Sequence, residues 1–185
     1  MCHHRVYGED RERRKWQAPE GILTDIGLHD GLTFVDVGCG DGFFTIPAAR
    51  IVGDEGRVYA LDSDEEAIAL LKKGALEEKL MNIDARIGVA EDTVFCRECA
   101  DFVFFSIVLH DFTDPVKVLS NAKIMLKRTG WLVDLDWKKK PMLFGPPLHI
   151  RFSEEHATAL IEKAGFRVVQ KKEAGQFQYL ITATP

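Results

Sequence analysis

The chain has 185 residues, 46% of them hydrophobic and 29% charged, which is enough for one globular domain with a full core. Its formal net charge of −5 argues against a dedicated nucleic-acid binder, and its most apolar run, Phe102 to Leu109, is far too short to cross a bilayer. The charged start lacks the apolar region of a secretion signal, and four cysteines (Cys2, Cys39, Cys96 and Cys99) do not make a disulfide framework in such a chain, so the expectation is a cytoplasmic protein.

Residues 1–16 are polar and mixed in charge. Arg11, Arg13, Arg14 and Lys15 read as a solvated arm, and Tyr7 as a candidate flap over a ligand. Met1-Cys2-His3-His4 carries soft metal ligands on a chain end, where residues are usually mobile. The expected organisation is a single domain over 1–185, with an N-terminal helical arm or flap over 1–30 and a ligand-binding core over 31–185.

Pro19 opens a short helix to about Ile26, and His29-Asp30-Gly31 is a turn. A strand follows from Thr33 to Val37, then the glycines Gly38, Gly40 and Gly42, then a helix from about Gly42 to Ile51. Arg57 to Leu61 is the second strand, with Asp62 at its carboxyl end and Ser63 or Asp64 capping the next helix. Short strands are expected at Ala85 to Gly88 and at Asp101 to Phe105, the latter apolar as a central parallel strand should be. Asp114-Pro115 starts a helix running to about Lys127, and Gly130 precedes a fifth strand, Trp131 to Asp136. Ser153 caps a helix stopped by Gly165. Phe166 to Lys172 and Gln176 to Ala183 alternate around Gly175 and read as an antiparallel hairpin.

Strands alternating with helices imply an α/β, Rossmann-like, mostly parallel sheet with helices on both faces and right-handed crossovers. Ligands of such sheets sit beyond the carboxyl ends of the strands, which gathers Gly38, Asp62, Gly88, Ser106 and Asp136 around one crevice.

The glycine loop points to an adenosine-containing ligand, because it supplies backbone conformations that side chains resist and feeds a helix N-terminus. The dinucleotide pattern G-x-G-x-x-G fails, since its third glycine would fall at Phe43. Asp62 can accept both ribose hydroxyls, a role common to several adenosine cofactors. Asp36 on the strand is more selective: a carboxylate there suits a ligand bearing an ammonium and a sulfonium and would repel a pyrophosphate.

Val35-Asp36-Val37-Gly38-Cys39-Gly40-Asp41-Gly42-Phe43 resembles the first motif of class I S-adenosylmethionine-dependent methyltransferases, in particular the small members similar to quinone-biosynthesis and arsenite methyltransferases. Val58 to Ser63 is similar to their second strand and ribose-binding acid, and Ser106 to Pro115 to the segment after their fourth strand. The resemblance implies seven strands with the last antiparallel, S-adenosyl-L-methionine as cofactor, and a small-molecule methyl acceptor. It implies that Gly38, Gly40 and Gly42 shape the methionine side of the site, with Asp36 orienting the loop or the ammonium group. Asp62 and Ser63 would meet the ribose and adenine, Ala90 and Glu91 the adenine edge, and Ser106 the methionine end. The position where family members often carry an aspartate for the adenine amine is Val89 here.

Methyl transfer from a sulfonium works largely by positioning and desolvation, so no universal base is required. His110, Asp111 and Asp136 can all face an acceptor; His110 is either a general base or a structural hydrogen-bonding residue. Cys96-x-x-Cys99 is half of a four-ligand metal site, and no complete one is expected. Two alternatives to a methyltransferase stay open: a cofactor-binding subunit without catalysis and a nicotinamide oxidoreductase.

Overall fold

The computed structural model describes residues 13, 14 and 16–185; the expectations for Met1 to His4 and for Tyr7 lie outside them. Helix α1 spans Pro19–Asp25, with proline at its first position. Strand β1 (Thr33–Val37), helix α2 (Thr45–Val52), strand β2 (Arg57–Asp62), helix α3 (Glu65–Glu77) and strand β3 (Ile83–Ile87) follow. A short 3₁₀ turn at Ala90–Asp92 leads to β4 (Ala100–Ser106). A second turn at Leu109–Asp111 leads to α4 (Pro115–Met125) and β5 (Leu126–Trp137). Helix α5 (Glu154–Lys163) and strands β6 (Arg167–Ala174) and β7 (Gln178–Thr184) complete the fold.

The seven strands form one sheet in the order β3-β2-β1-β4-β5-β7-β6. β7 runs antiparallel to both neighbours, while the pairs from β3 through β5 are parallel. The chain reverses from β1-β2-β3 on one side to β4-β5 on the other, which opens a crevice at the carboxyl ends of β1 and β4.

The period-two alternation of the strands divides the core. Phe34, Phe104, Val133 and Leu135 pack with Ala48, Ala49 and Val52 of α2 and Leu23 of α1. Val35, Val37, Val103, Phe105 and Leu132 pack on the other face with Val118 and Leu119 of α4 and Ile161 of α5. Local chemistry sets several boundaries: Asp64 caps α3 through the N–H groups of Glu66 and Ala67, Asp114 caps α4, and Ser153 caps α5.

Two elements differ most from the sequence expectation. Helix α2 begins at Thr45, not Gly42, because the glycine loop continues as a turn through Phe44. Strand β5 begins at Leu126, directly after α4, so the residues expected to end the helix lie in the strand. Between Ala100 and Phe102, β4 takes two steps where β5 runs from Leu126 to Trp131, a pronounced bulge. Gly130 belongs to that bulge: a Cβ there would lie 2.9 Å from Ala100 O and 3.0 Å from Lys127 O. Lys127 anchors it by pairing with Asp101 at 2.8 Å.

Candidate functional site

The first wall of the site is the loop after β1. Gly38 N–H and Cys39 N–H both donate to Leu61 O, at 2.7 and 3.0 Å, so the loop is laid across the end of β2. Gly38 has φ +74°, and a Cβ there would stand 2.5 Å from Val108 Cγ2. Gly42 has φ +98°, and its Cβ would stand 2.5 Å from Leu71 Cδ1. These two glycines therefore make room for the segment after β4 and for α3, a packing demand that the ligand-centred reading of the sequence did not foresee. Gly40 donates its N–H to Asp62 Oδ2 at 2.7 Å, and Asp64 N–H donates to Asp62 Oδ1 at 3.0 Å. A carboxylate offers about four acceptor positions, so each oxygen keeps capacity for a further donor such as a ribose hydroxyl. Ser63, next in the chain, is exposed.

Asp36 is buried on the face toward α2, where Thr45 Oγ1 donates to its Oδ2 at 2.6 Å. The strand acid thus holds the start of α2 beneath the glycine loop. Sequence reading missed Thr45, because only the folded loop brings it back against β1.

In the turn that the resemblance assigns to the adenine edge, the Glu91 side chain is engaged by backbone ahead of the next helix. Its Oε1 accepts the N–H groups of Thr113 and Asp114, at 3.1 and 3.3 Å, ahead of α4. Asn121 braces the same turn by donating to the carbonyls of Ala90 and Glu91, at 2.9 and 2.8 Å. Ala90 is buried and Val89 half exposed, so this wall is presented as apolar surface and backbone.

Beside Ser106 lies a residue that the sequence reading placed in a solvated arm. The Arg13 guanidinium stacks on the Phe43 ring, 3.9 Å from its centroid, and donates to Ser106 Oγ at 3.2 Å. Gln17, buried, accepts from Arg13 Nε at 2.6 Å and donates to Gln178 Oε1 at 3.0 Å, which ties the arm to β7. Ser106 is buried at the end of β4, and Ile107 after it has φ +60°. A β-branched residue in that region is strained, as backbone at functional sites often is.

Beyond Ser106 lies a polar cluster. His110 Nδ1 lies 2.7 Å from Asp136 Oδ2, and both side chains are almost wholly buried. Trp137 N–H donates to Asp136 Oδ1 at 2.7 Å. A carboxylate oxygen accepts at Nδ1, which favours the tautomer protonated there and leaves Nε2 as the basic nitrogen. Asp111 is exposed, with Oδ1 3.7 Å from His110 Nε2. Two residues earlier on the same face of β5, Asp134 is fully buried with neither oxygen hydrogen-bonded. Burial, reinforced by the charge of Asp136, pushes the Asp134 carboxyl well above the ordinary carboxylate range. Burial likewise pushes the Tyr179 phenol far up, so that it stays protonated.

Cys96 and Cys99 are joined in a disulfide ahead of β4, with Cα atoms 6.0 Å apart. Among the described residues no group of three or more His, Cys, Asp or Glu side chains is arranged to hold a metal.

The donor set at the crevice fits S-adenosylmethionine: a part-buried acid at the end of β2 with acceptor capacity to spare, beside a tight glycine loop. Comparison with known proteins agrees. A methyltransferase-domain family matches residues 28–176. The crystal structure of a SAM-dependent methyltransferase from Aquifex aeolicus superposes with a TM-score of 0.90 at 30% identity, covering 95% of this chain and 93% of that one. A demethylmenaquinone methyltransferase of Geobacillus stearothermophilus is 29% identical over 135 residues, 73% of this chain and 56% of that protein. A protein of Sulfurisphaera tokodaii named as a cobalt-precorrin-6B C(15)-methyltransferase is 39% identical over 72 residues, 39% of this chain and 38% of its own length. The chain thus spans about half or less of the curated relatives it matches. On the family match and the Aquifex likeness together, the chain belongs to the class I S-adenosylmethionine-dependent methyltransferases.

Proposed function

We propose that this protein transfers the methyl group of S-adenosylmethionine to a small-molecule acceptor in the cytoplasm, with the acceptor bound beside His110. The observation that carries this reading is the pairing of His110 with Asp136 at 2.7 Å, next to the end of β4 where the cofactor crevice lies. The cofactor supplies an electrophilic methyl on a sulfonium. Asp62 would hold the ribose, with Ser63 beside the adenine and Ala90 along its edge. The backbone of Gly38, Gly40 and Ser106 would line the methionine end, and Arg13 would meet its carboxylate.

As the acceptor atom attacks the methyl carbon and the carbon–sulfur bond breaks, an O–H, N–H or acidic C–H acceptor must lose a proton. His110 Nε2 is the atom to receive it, and Asp136 stabilises the imidazolium that results. Phe152, its ring centroid 6.4 Å from that of His110, adds an apolar wall that helps exclude water. The geometry favours this reading over a catalytically silent subunit, which has no need of an oriented imidazole.

Calorimetry with S-adenosylhomocysteine, followed by methyl transfer from labelled cofactor to a metabolite panel, tests the reading. Binding is expected in wild type and at least about tenfold weaker in Asp62→Ala, roughly 1.4 kcal/mol. No binding at millimolar ligand would overturn it, and unchanged affinity in Asp62→Ala would remove the ribose assignment.

A further inference from the structure

The segment from Lys138 to Phe152 joins β5 to α5. It contains Lys138, Lys139, Lys140 and Arg151 and no acidic residue, in a chain whose net charge is −5. Its tip is apolar: Leu143 is fully exposed, and Phe144 and Leu148 are each 42% exposed. Exposed apolar side chains clustered on one loop call for an explanation in a way that scattered ones do not.

The loop is not loosely held. Arg151 is buried, and its guanidinium donates to four carbonyls of the same loop. Nε reaches Pro146 O at 2.7 Å and Nη2 reaches Phe144 O at 3.0 Å. Nη1 reaches Lys140 O at 3.1 Å and Lys138 O at 3.4 Å. Gly145, at φ +87°, lets this wrap close: a Cβ there would be 3.3 Å from Arg151 Nη2 and from the Trp137 ring. Below the tip, Phe144 packs on Phe177 and Trp137, with ring centroids 4.7 and 5.8 Å apart. A clamp of this kind fixes which side chains face outward, and it turns Leu143 to solvent rather than down onto the crevice.

Charge adds direction. Lys138 is neutralised by Glu173 at 2.9 Å, whereas Lys139, Lys140 and His149 are exposed around the apolar tip. An apolar tip flanked by two exposed lysines matches a surface with a hydrocarbon interior and anionic headgroups. We infer that this loop docks the protein peripherally on membranes containing anionic lipid, with Leu143 and Leu148 entering the headgroup–acyl boundary and Lys139 and Lys140 meeting lipid phosphates. The loop leaves β5 just after Asp136 and rejoins the fold at Phe152, the two residues flanking His110. Docking there would turn the acceptor side of the crevice toward the bilayer and suit an acceptor dissolved in lipid. The docking itself rests on the loop alone and needs neither cofactor nor turnover.

Co-sedimentation of the full chain with vesicles tests it, using phosphatidylcholine alone and phosphatidylcholine mixed with phosphatidylglycerol. Wild type is expected to bind the mixed vesicles, to bind neutral ones far less, and to be released by high salt. Leu143→Ser is expected to weaken partitioning about tenfold or more, with an unchanged melting temperature because Leu143 is already fully exposed. Lys139→Glu/Lys140→Glu is expected to abolish the preference for anionic lipid. Absence of binding to mixed vesicles at low salt would overturn the inference. So would binding that the leucine variant leaves unchanged. Self-association lost in the leucine variant without any vesicle binding would also overturn it, by assigning the surface to a second copy of the chain.

Discussion

Thr45 at the first position of α2 donates its hydroxyl to Asp36 in the middle of β1, across 2.6 Å. The bond joins the strand before the glycine loop to the helix after it, so the loop is held at both ends by one contact. Thr45→Val keeps the shape and removes the donor to a buried carboxylate. The expected cost is about 2 kcal/mol of stability. Urea denaturation measures it, and an unshifted midpoint would show that the pair is not needed to hold the loop.

Arg13 can be assigned to the amino-acid end of the cofactor by comparing two ligands. S-adenosylhomocysteine carries a carboxylate; 5′-methylthioadenosine does not. Arg13→Ala is expected to weaken the first by about tenfold, in line with losing a charge-assisted hydrogen bond, and to leave the second nearly unchanged. Equal losses in calorimetry would mean that Arg13 only packs against Phe43 and Ser106.

His110→Asn retains a side chain able to hydrogen-bond to Asp136 but offers no titrating nitrogen. Turnover is expected to fall by about 10²-fold or more, with S-adenosylhomocysteine affinity kept within about twofold. Full activity in His110→Asn would make the residue structural.

Asp134 gives a stability effect with a defined sign. Its carboxyl binds a proton more tightly in the folded protein than in the unfolded chain, since burial raises it. The associated stabilisation is complete below the ordinary aspartate range near 3.8 and declines as pH rises from there toward the folded-state value. Asp134→Asn mimics the neutral acid without that dependence. Its stability relative to wild type is therefore expected to improve as pH is raised over the range from about 4 upward in denaturant melts. A constant difference across that range would show that Asp134 does not hold a proton in the fold.

What the sequence revealed was chemistry confined to short stretches. The loop of Gly38, Gly40 and Gly42, the acid at the end of β2, and the caps at Asp114 and Ser153 are set by neighbours within a few residues, and their spacing announces them. The antiparallel hairpin around Gly175 was legible for the same reason. Contacts between distant residues were not. Glu91 reaches Thr113 and Asp114, Arg13 reaches Ser106, and nothing in the local pattern of either announces its partner. The start of β5 was hidden because Leu126 to Gly130 neither alternates nor ends in a helix stop; Gly130 serves the bulge instead. Arg151 is the sharpest case, a lone arginine near a helix start whose four partners are all carbonyls, a group that sequence does not distinguish.

The place of β7 has a consequence for how the molecule comes together. It lies between β5 and β6, pairing with β5 from Leu132 to Trp137 and with β6 from Arg167 to Ala174. During synthesis β5 emerges long before β7, so its outer edge waits with unpaired backbone groups while α5 and β6 are made. β6 cannot shield that edge, since its own partner is β7. The last two places of the sheet are therefore filled by one late insertion, and a nascent chain halted before Gln178 would present the edge of β5 as a site for pairing between chains.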